Sequence, residues 1–215
     1  MQHLFFDLDG TLTDPAPGIG ACLMHAVHAL GRTSLLETDL RRFIGPPLRE
    51  CFAELLETDD VMLIEEAVGL YRERFASVGL FENRVYDGTP QALARLVEAG
   101  HTLTVVTSKP AVYANRIVDH FELRRFFAHV HGAELSGARS TKSELIAHAL
   151  REERVVAHGA RMIGDREHDV LGARHNGVPS IGVTWGYGTR AELEAAGADH
   201  VVDDFDALCT TLARS

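Results

Sequence analysis

Two aspartates one residue apart, Asp7 and Asp9, follow the hydrophobic run His3-Leu4-Phe5-Phe6 and lead into Gly10 and Thr11. Ligands of open parallel sheets bind at the carboxyl ends of the strands. A strand ending in two carboxylates is therefore either a polar exit into a loop or a place for nucleophilic, proton-transfer or metal chemistry. Three later stretches carry matching groups: Thr107-Ser108-Lys109 after Val105-Val106, Lys142 at a helix start, and Gly164-Asp165 with Asp169 after Met162-Ile163. Alone, each has an ordinary explanation, since lysines are mostly surface residues and Gly-Asp serves turns and helix caps. Together they make one pocket of several carboxylates, a hydroxyl and one or two lysines. Carboxylates crowd in this way only if a cation neutralises them or their pKa values rise. A hard divalent ion with oxygen ligands fits, and Mg²⁺ that keeps several waters is the economical choice. No histidine or cysteine cluster argues for zinc, and His25 and His28 share a helix face without a third ligand.

The elements that must position these groups follow from periodicity. From Pro15 to about Gly79 the pattern is helical. Ile19, Cys22, Leu23, Ala26, Val27 and Leu30 mark one face of a helix that Gly31 ends. Thr38 would cap a short helix into Phe43, Gly45-Pro46-Pro47 is a turn, and residues 48–56 are a further helix. Val61, Ile64, Val68, Tyr71, Phe75 and Val78 then form a long apolar stripe. After Phe81 the period changes. Thr89 caps a helix with Pro90 in its first turn, and β-branched runs such as residues 102–107 alternate with helices to the end of the chain. That alternation predicts an α/β fold, a mostly parallel sheet with helices on both faces, interrupted by an inserted helical bundle.

Composition narrows the partners. With 215 residues, 46% hydrophobic and 24% charged, the chain can bury a core without staples. A formal net charge of -10 disfavours a nucleic-acid backbone or an anionic membrane as partner. It leaves room for a small phosphorylated metabolite, because a local cation can invert the field of one pocket. Cys22, Cys51 and Cys209 are odd in number and widely spaced, which reads as reduced thiols. No basic segment followed by an apolar run opens the chain and no window is long and apolar enough to span a bilayer, so a cytoplasmic protein, monomeric or homodimeric, is expected.

Asp7-Leu8-Asp9-Gly10-Thr11, then Thr107, Lys142 and Gly164-Asp165 with Asp169, resembles in order the haloacid dehalogenase-like superfamily, and within it the phosphoglycolate phosphatase-like branch with a helical cap. The resemblance spans the whole chain. It implies a Rossmann-like catalytic core over residues 1–14 and 84–215, with a helical cap domain over 15–83. It implies a Mg²⁺-dependent phosphatase acting on a small phosphomonoester: phosphoglycolate, a nucleoside monophosphate or a sugar phosphate. Asp7 would be the nucleophile that becomes an aspartyl-phosphate, and Asp9 the general acid and base. Asp7, the Asp9 backbone carbonyl and Asp165 would hold the metal, with Asp169 supporting it through its water shell. Thr107, Ser108 and Lys142 would bind the phosphoryl oxygens, Gly10 would let the backbone turn at the phosphate, and Arg49 would read an anionic part of the substrate. Ser143 stands where many relatives have proline, and Lys109 rivals Lys142 for the phosphate-neutralising position. Arg49 reads equally as a surface residue, and Trp185-Gly186-Tyr187-Gly188 as a plain turn or as a border of the pocket. A phosphomutase of the β-phosphoglucomutase type and a non-catalytic phospho-acceptor module are the alternatives.

Overall fold

The computed structural model describes residues 1–32, 40–44, 46–136 and 139–213. The expected Thr38 cap and the Gly45 of the Gly-Pro-Pro turn lie outside the described residues. The chain divides into two compact units, Met1–Asp14 with Val85–Ser215, and Pro15–Arg84.

The first unit is built on a six-stranded sheet of β1 (His3–Phe6), β4 (Thr102–Pro110), β5 (Phe127–Ala133), β6 (Ala160–Gly164), β7 (Ser180–Val183) and β8 (His200–Val202). The strand order is β5-β4-β1-β6-β7-β8, and the pairings are parallel. The chain runs outward from β1 through β4 to β5, then returns to the far side of β1 as β6 and runs outward again. The order therefore reverses at β1, the place where open α/β sheets form a crevice at their carboxyl edge. Phe6 is in register with Val105 and with Ile163, which brings the ends of β1, β4 and β6 level. Being flanked on both sides, β1 is apolar throughout its second half: Leu4, Phe5 and Phe6 are fully buried.

Helices α4 (Thr89–Glu98), α5 (Ala111–His120), α6 (Lys142–Glu152), α7 (Glu167–His175), α8 (Arg190–Ala196) and α9 (Phe205–Ala213) connect or follow these strands. On one face Phe5, Val106 and Met162 pack with Leu145, Ile146 and Ala149 of α6 and Ala173 of α7. Each such large side chain contributes roughly 1.5–3 kcal/mol by leaving water. The packing anchors α6 and α7, whose first turns carry Lys142 and Asp169. Thr141 caps α6 by a reciprocal pair with Glu144, so the start of α6 is fixed to the residue. Thr89, by contrast, is not a cap: Gly88, at φ +87°, precedes α4, and the buried Thr89 hydroxyl lies inside the first turn. A glycine takes the left-handed backbone that the entry to α4 requires more easily than threonine does.

The second unit contains α1 (Ala16–Ala29), a short 3₁₀ turn at Leu40–Phe43, α2 (Leu48–Leu56) and α3 (Val61–Arg74), which continues as a π-helical turn over Phe75–Gly79. Asp60 caps α3 by accepting from the backbone N–H of Met62 at 2.9 Å. Ile64, Val68, Tyr71 and Phe75 are buried as the stripe predicts, but Val61 and Val78 are 68% and 47% exposed. Val61 opens the helix beside its cap, and Val78 lies in the π turn, whose wider winding shifts the stripe out of phase. Two residues on each passage between the units, β2 (Thr13–Asp14) and β3 (Arg84–Val85), pair as a short ribbon too brief to leave an alternating pattern in sequence. Among the described residues, no helix is long and apolar enough to cross a membrane.

Candidate active site

Asp7 continues the ladder of β1, its N–H donating to the Ile163 carbonyl at 2.9 Å. The chain then doubles back, with Gly10 N–H donating to the Thr13 carbonyl at 2.7 Å and Leu12 N–H to that of Leu8 at 2.9 Å. Gly10 sits at φ +85°, and a Cβ there would lie 2.2 Å from Oδ2 of Asp165. The group that demands glycine at this turn is thus the Asp165 carboxylate at the end of β6.

Lys142, the first residue of α6, is buried, and its Nζ lies 2.8 Å from Oδ1 of both Asp7 and Asp169. It also donates to the Val106 carbonyl at 3.1 Å. Burial alone would lower the lysine pKa; the carboxylates of Asp169 and Asp7 outweigh that and hold it above its ordinary value. Asp169 accepts the Arg166 N–H at 3.2 Å on its other oxygen, which ties it to the start of α7. Asp165 accepts from the Thr11 hydroxyl at 3.2 Å and the Tyr187 N–H at 2.8 Å. Carboxylate oxygens of Asp7, Asp165 and Asp169 all lie within 4.8 Å of one another. Burial, then the charges of Asp169 and Asp7, push the Asp165 carboxyl up to about 8. Three carboxylates around one ammonium leave negative charge uncompensated in a desolvated place. An all-oxygen donor set with that excess fits a hard divalent cation.

Asp9 is placed differently. Its Oδ2 lies 2.8 Å from Lys109 Nζ, and its Oδ1 is buried with no hydrogen-bond partner among the described residues. Desolvation raises its pKa against the opposing charge and hydrogen bond of Lys109. The β4–β5 ladder is irregular between Thr107 and Pro110, the stretch that carries Lys109, and such irregularities re-aim side chains at strand ends. Thr107 is buried, its hydroxyl accepting the Lys109 N–H at 3.2 Å, whereas the Ser108 side chain is exposed. Arg49 belongs to the helical unit, where it pairs with Glu65, donating from Nη2 at 3.1 Å. The sequence thus names Asp7, Asp165, Asp169 and Lys142, which the fold brings together, and beside them Asp9 in the turn after β1 and Thr107 and Lys109 on β4.

Other contributors were left open or missed by motif reading. Thr11 lies inside the opening motif without an assigned part, yet it holds Asp165. The Trp185–Gly188 stretch is a wall of the acidic cluster rather than a plain turn. Besides the Tyr187 N–H on Asp165, the Trp185 indole donates to the Thr11 carbonyl at 3.0 Å, and a Cβ on Gly186 would meet the Gly10 carbonyl at 2.3 Å and Asp165 Cβ at 2.4 Å. The paired glycines were the available signal. Glu192 left none: it accepts from Arg166 Nε at 2.8 Å and from the Glu167 N–H at 2.9 Å, pinning α7 from α8.

Comparison with known proteins agrees with this arrangement. A 5'-nucleotidase from Pseudomonas aeruginosa is 49% identical over 96% of this chain and 93% of its own length. The tyrosine-protein kinase PtkA of Mycobacterium tuberculosis is 39% identical over 87% of this chain, which spans 63% of that protein. The crystal structure of a predicted phosphatase from Clostridium acetobutylicum superposes with a TM-score of 0.91 at 39% identity, covering 100% of this chain and 99% of the other. The model of the haloacid dehalogenase-like hydrolases matches residues 4–183. The chain belongs to the haloacid dehalogenase-like hydrolase family, and it is a phosphatase acting on phosphoric monoesters.

Proposed function

We propose that the chain hydrolyses a small phosphomonoester, a nucleoside 5'-monophosphate first among the candidates, through an aspartyl-phosphate on Asp7. The observation that carries this reading is the partition of the two aspartates. Asp7 sits with Lys142 in the acidic cluster, and Asp9 sits with Lys109 and keeps one buried oxygen without a hydrogen bond among the described residues. Asp7 attacks phosphorus as the bond to the leaving oxygen breaks, and Asp9 gives that oxygen a proton. Asp9 then takes a proton from water as the water oxygen attacks the aspartyl-phosphate, which frees Asp7 and releases phosphate. Lys142, Thr107 and Ser108 hold the phosphoryl oxygens. Asp7, the Asp9 backbone carbonyl and Asp165, with Asp169 behind them, would hold Mg²⁺, whose charge lets a carboxylate approach a phosphoryl dianion. The helical unit serves as the cap domain, with Arg49 as its substrate-reading side chain. The 5'-nucleotidase relative supports the nucleotide as substrate.

The test is phosphate release from nucleoside 5'-monophosphates, phosphoglycolate and sugar phosphates, each with and without EDTA. Wild type is expected to release phosphate only without chelator, with nucleotides hydrolysed best, and Asp7→Asn to release none while still melting cooperatively as a folded protein. Release by Asp7→Asn would overturn the nucleophile, release in EDTA the metal, and transfer of labelled phosphate from ATP to protein tyrosine without release would replace hydrolysis by a kinase reading.

A further inference from the structure

We propose that Lys109 is the positioning residue of Asp9, as Lys142 is the lysine of Asp7, so that each catalytic aspartate has its own buried ammonium. The inference rests on the reading of Asp9 as proton donor to the leaving group.

The geometry separates the two lysines. Lys142 Nζ contacts Asp7, Asp169 and the Val106 carbonyl. Lys109 Nζ lies against Asp9 Oδ2, with the lysine side chain 6% exposed. Holding one oxygen of a carboxyl fixes the direction of the other. Here the other is Oδ1, buried and without a partner among the described residues. Carrying the proton of the acid, Oδ1 is a buried donor without an acceptor, which costs free energy, and its natural partner is an acceptor that arrives with the substrate. The leaving oxygen of a phosphomonoester is such a group.

Charge argues the same way. As the P–O bond breaks, its electron pair stays on the leaving oxygen, the proton moves from Oδ1 to that oxygen, and Asp9 becomes a carboxylate. The new negative charge forms next to the Lys109 ammonium, which needs no reorganisation to meet it. In the second half the proton returns from water to Oδ1, and the same contact holds the carboxyl in place. The ladder irregularity between Thr107 and Pro110 and the Lys109 N–H on the Thr107 hydroxyl supply the rigid mount from which Lys109 reaches Asp9 in the turn after β1.

The measurement is leaving-group dependence. p-Nitrophenyl phosphate expels a stable phenolate and needs little protonation; glycerol 2-phosphate expels a basic alkoxide and needs it fully. Asp9→Asn is measured first by kcat/KM, which excludes the ester-independent hydrolysis of the aspartyl-phosphate, and it should lose far more on the glycerol ester. If it loses equally on both esters, the acid reading of Asp9 fails, and this proposal with it. Given the selective loss, Lys109→Met is expected to lower kcat/KM by roughly 10²-fold on glycerol 2-phosphate and by no more than about tenfold on p-nitrophenyl phosphate. In the Asp9→Asn background, Lys109→Met should add no further selectivity, because it acts through Asp9. Lys109→Gln, checked by thermal melting, repeats the comparison should the Met variant not fold. Equal loss on both esters, or a rise in KM for both, would overturn the assignment and make Lys109 a phosphate-binding residue. Selectivity that adds in the double variant would overturn it also.

Discussion

The sheet edge of the α/β unit and the α2 helix of the helical unit use the same chemical pairing in opposite surroundings. In the α/β unit Lys142, Asp7 and Asp169 have side chains 5%, 13% and 2% exposed, and Lys109 and Asp9 are 6% and 19% exposed. In the helical unit Arg49 and Glu65 are 61% and 43% exposed, and Arg42 and Glu54 55% and 58%. An exposed pair gains little, since water and salt screen it and two long side chains must be ordered. A buried group of charges costs desolvation and is strongly destabilised when one partner is removed. The α/β unit therefore carries an expense that packing alone would not select, and the site at the sheet edge is where that expense has a use.

The largest break in this contrast is Lys142→Met. It leaves Asp7 and Asp169 facing each other without their ammonium, a loss of about 3–5 kcal/mol for a broken buried pair, and on the proposed mechanism it removes the charge that meets the phosphoryl oxygens. Phosphate release is expected to fall at least about 10³-fold. Melting should drop most in chelator, and divalent ion should restore part of the stability but not the rate. A variant that melts like wild type in EDTA would show that the three charges are not coupled.

Gly186→Ala comes next, and it tests a wall instead of a charge. Its Cβ would need the Gly10 carbonyl or Asp165 Cβ to move, both at 2.3–2.4 Å. A displacement near one ångström at a reacting centre can cost about 10²-fold in rate. If Asp165 holds Mg²⁺ as proposed, the Mg²⁺ concentration for half-maximal rate should rise with that loss; an unchanged value would detach the loop from Asp165.

This position also marks the limit of reading the sequence. The strand-end carboxylates were readable because a hydrophobic run, a charge and a glycine stand adjacent in the chain. The α6 start was readable because Thr141 and Glu144 form a local pair. The hold of Tyr187 on Asp165, of Thr11 on Asp165 and of Glu192 on Arg166 and Glu167 are contacts across 22 to 154 residues. No local pattern encodes those. Thr89 failed as a cap for the opposite reason: the pattern was local and correct in type, but Gly88 had the backbone freedom.

Glu153, at the end of α6 and bonded to β4 and β5, gives a smaller, purely structural contrast within the same unit. It is 3% exposed, accepts from the Thr104 hydroxyl at 3.0 Å, and lies 3.0 Å from His131 Nε2. Burial raises its pKa, but the bonds to His131 and Thr104 outweigh that and leave it below the ordinary 4.5. A carboxyl whose folded pKa is depressed adds stability above the unfolded value and loses it as pH falls through the folded one. Glu153→Gln should therefore cost about 1–2 kcal/mol at pH 7. The gap in Tm from wild type should close on acidification below 4.5. Phosphate release at pH 7 should stay unchanged, and a gap that does not narrow would refute the charge as its cause.

Arg49→Ala should have the smallest effect on the fold and is the sharpest test of the exposed side of the comparison. The pair with Glu65 is bidentate but solvated, and surface pairs of this kind add little that can be measured. Tm is expected to stay within the error of the melt at low and high salt. The effect should appear in KM for the preferred nucleotide, with kcat for p-nitrophenyl phosphate unchanged, because a side chain that reads the rest of the substrate is silent toward an ester lacking it. Glu65→Ala, which frees Arg49 without removing it, should move KM the other way or not at all. If Arg49→Ala lowers Tm and leaves every KM alone, Arg49 is a strut of α2 on α3, and substrate reading by the helical unit must come from another side chain.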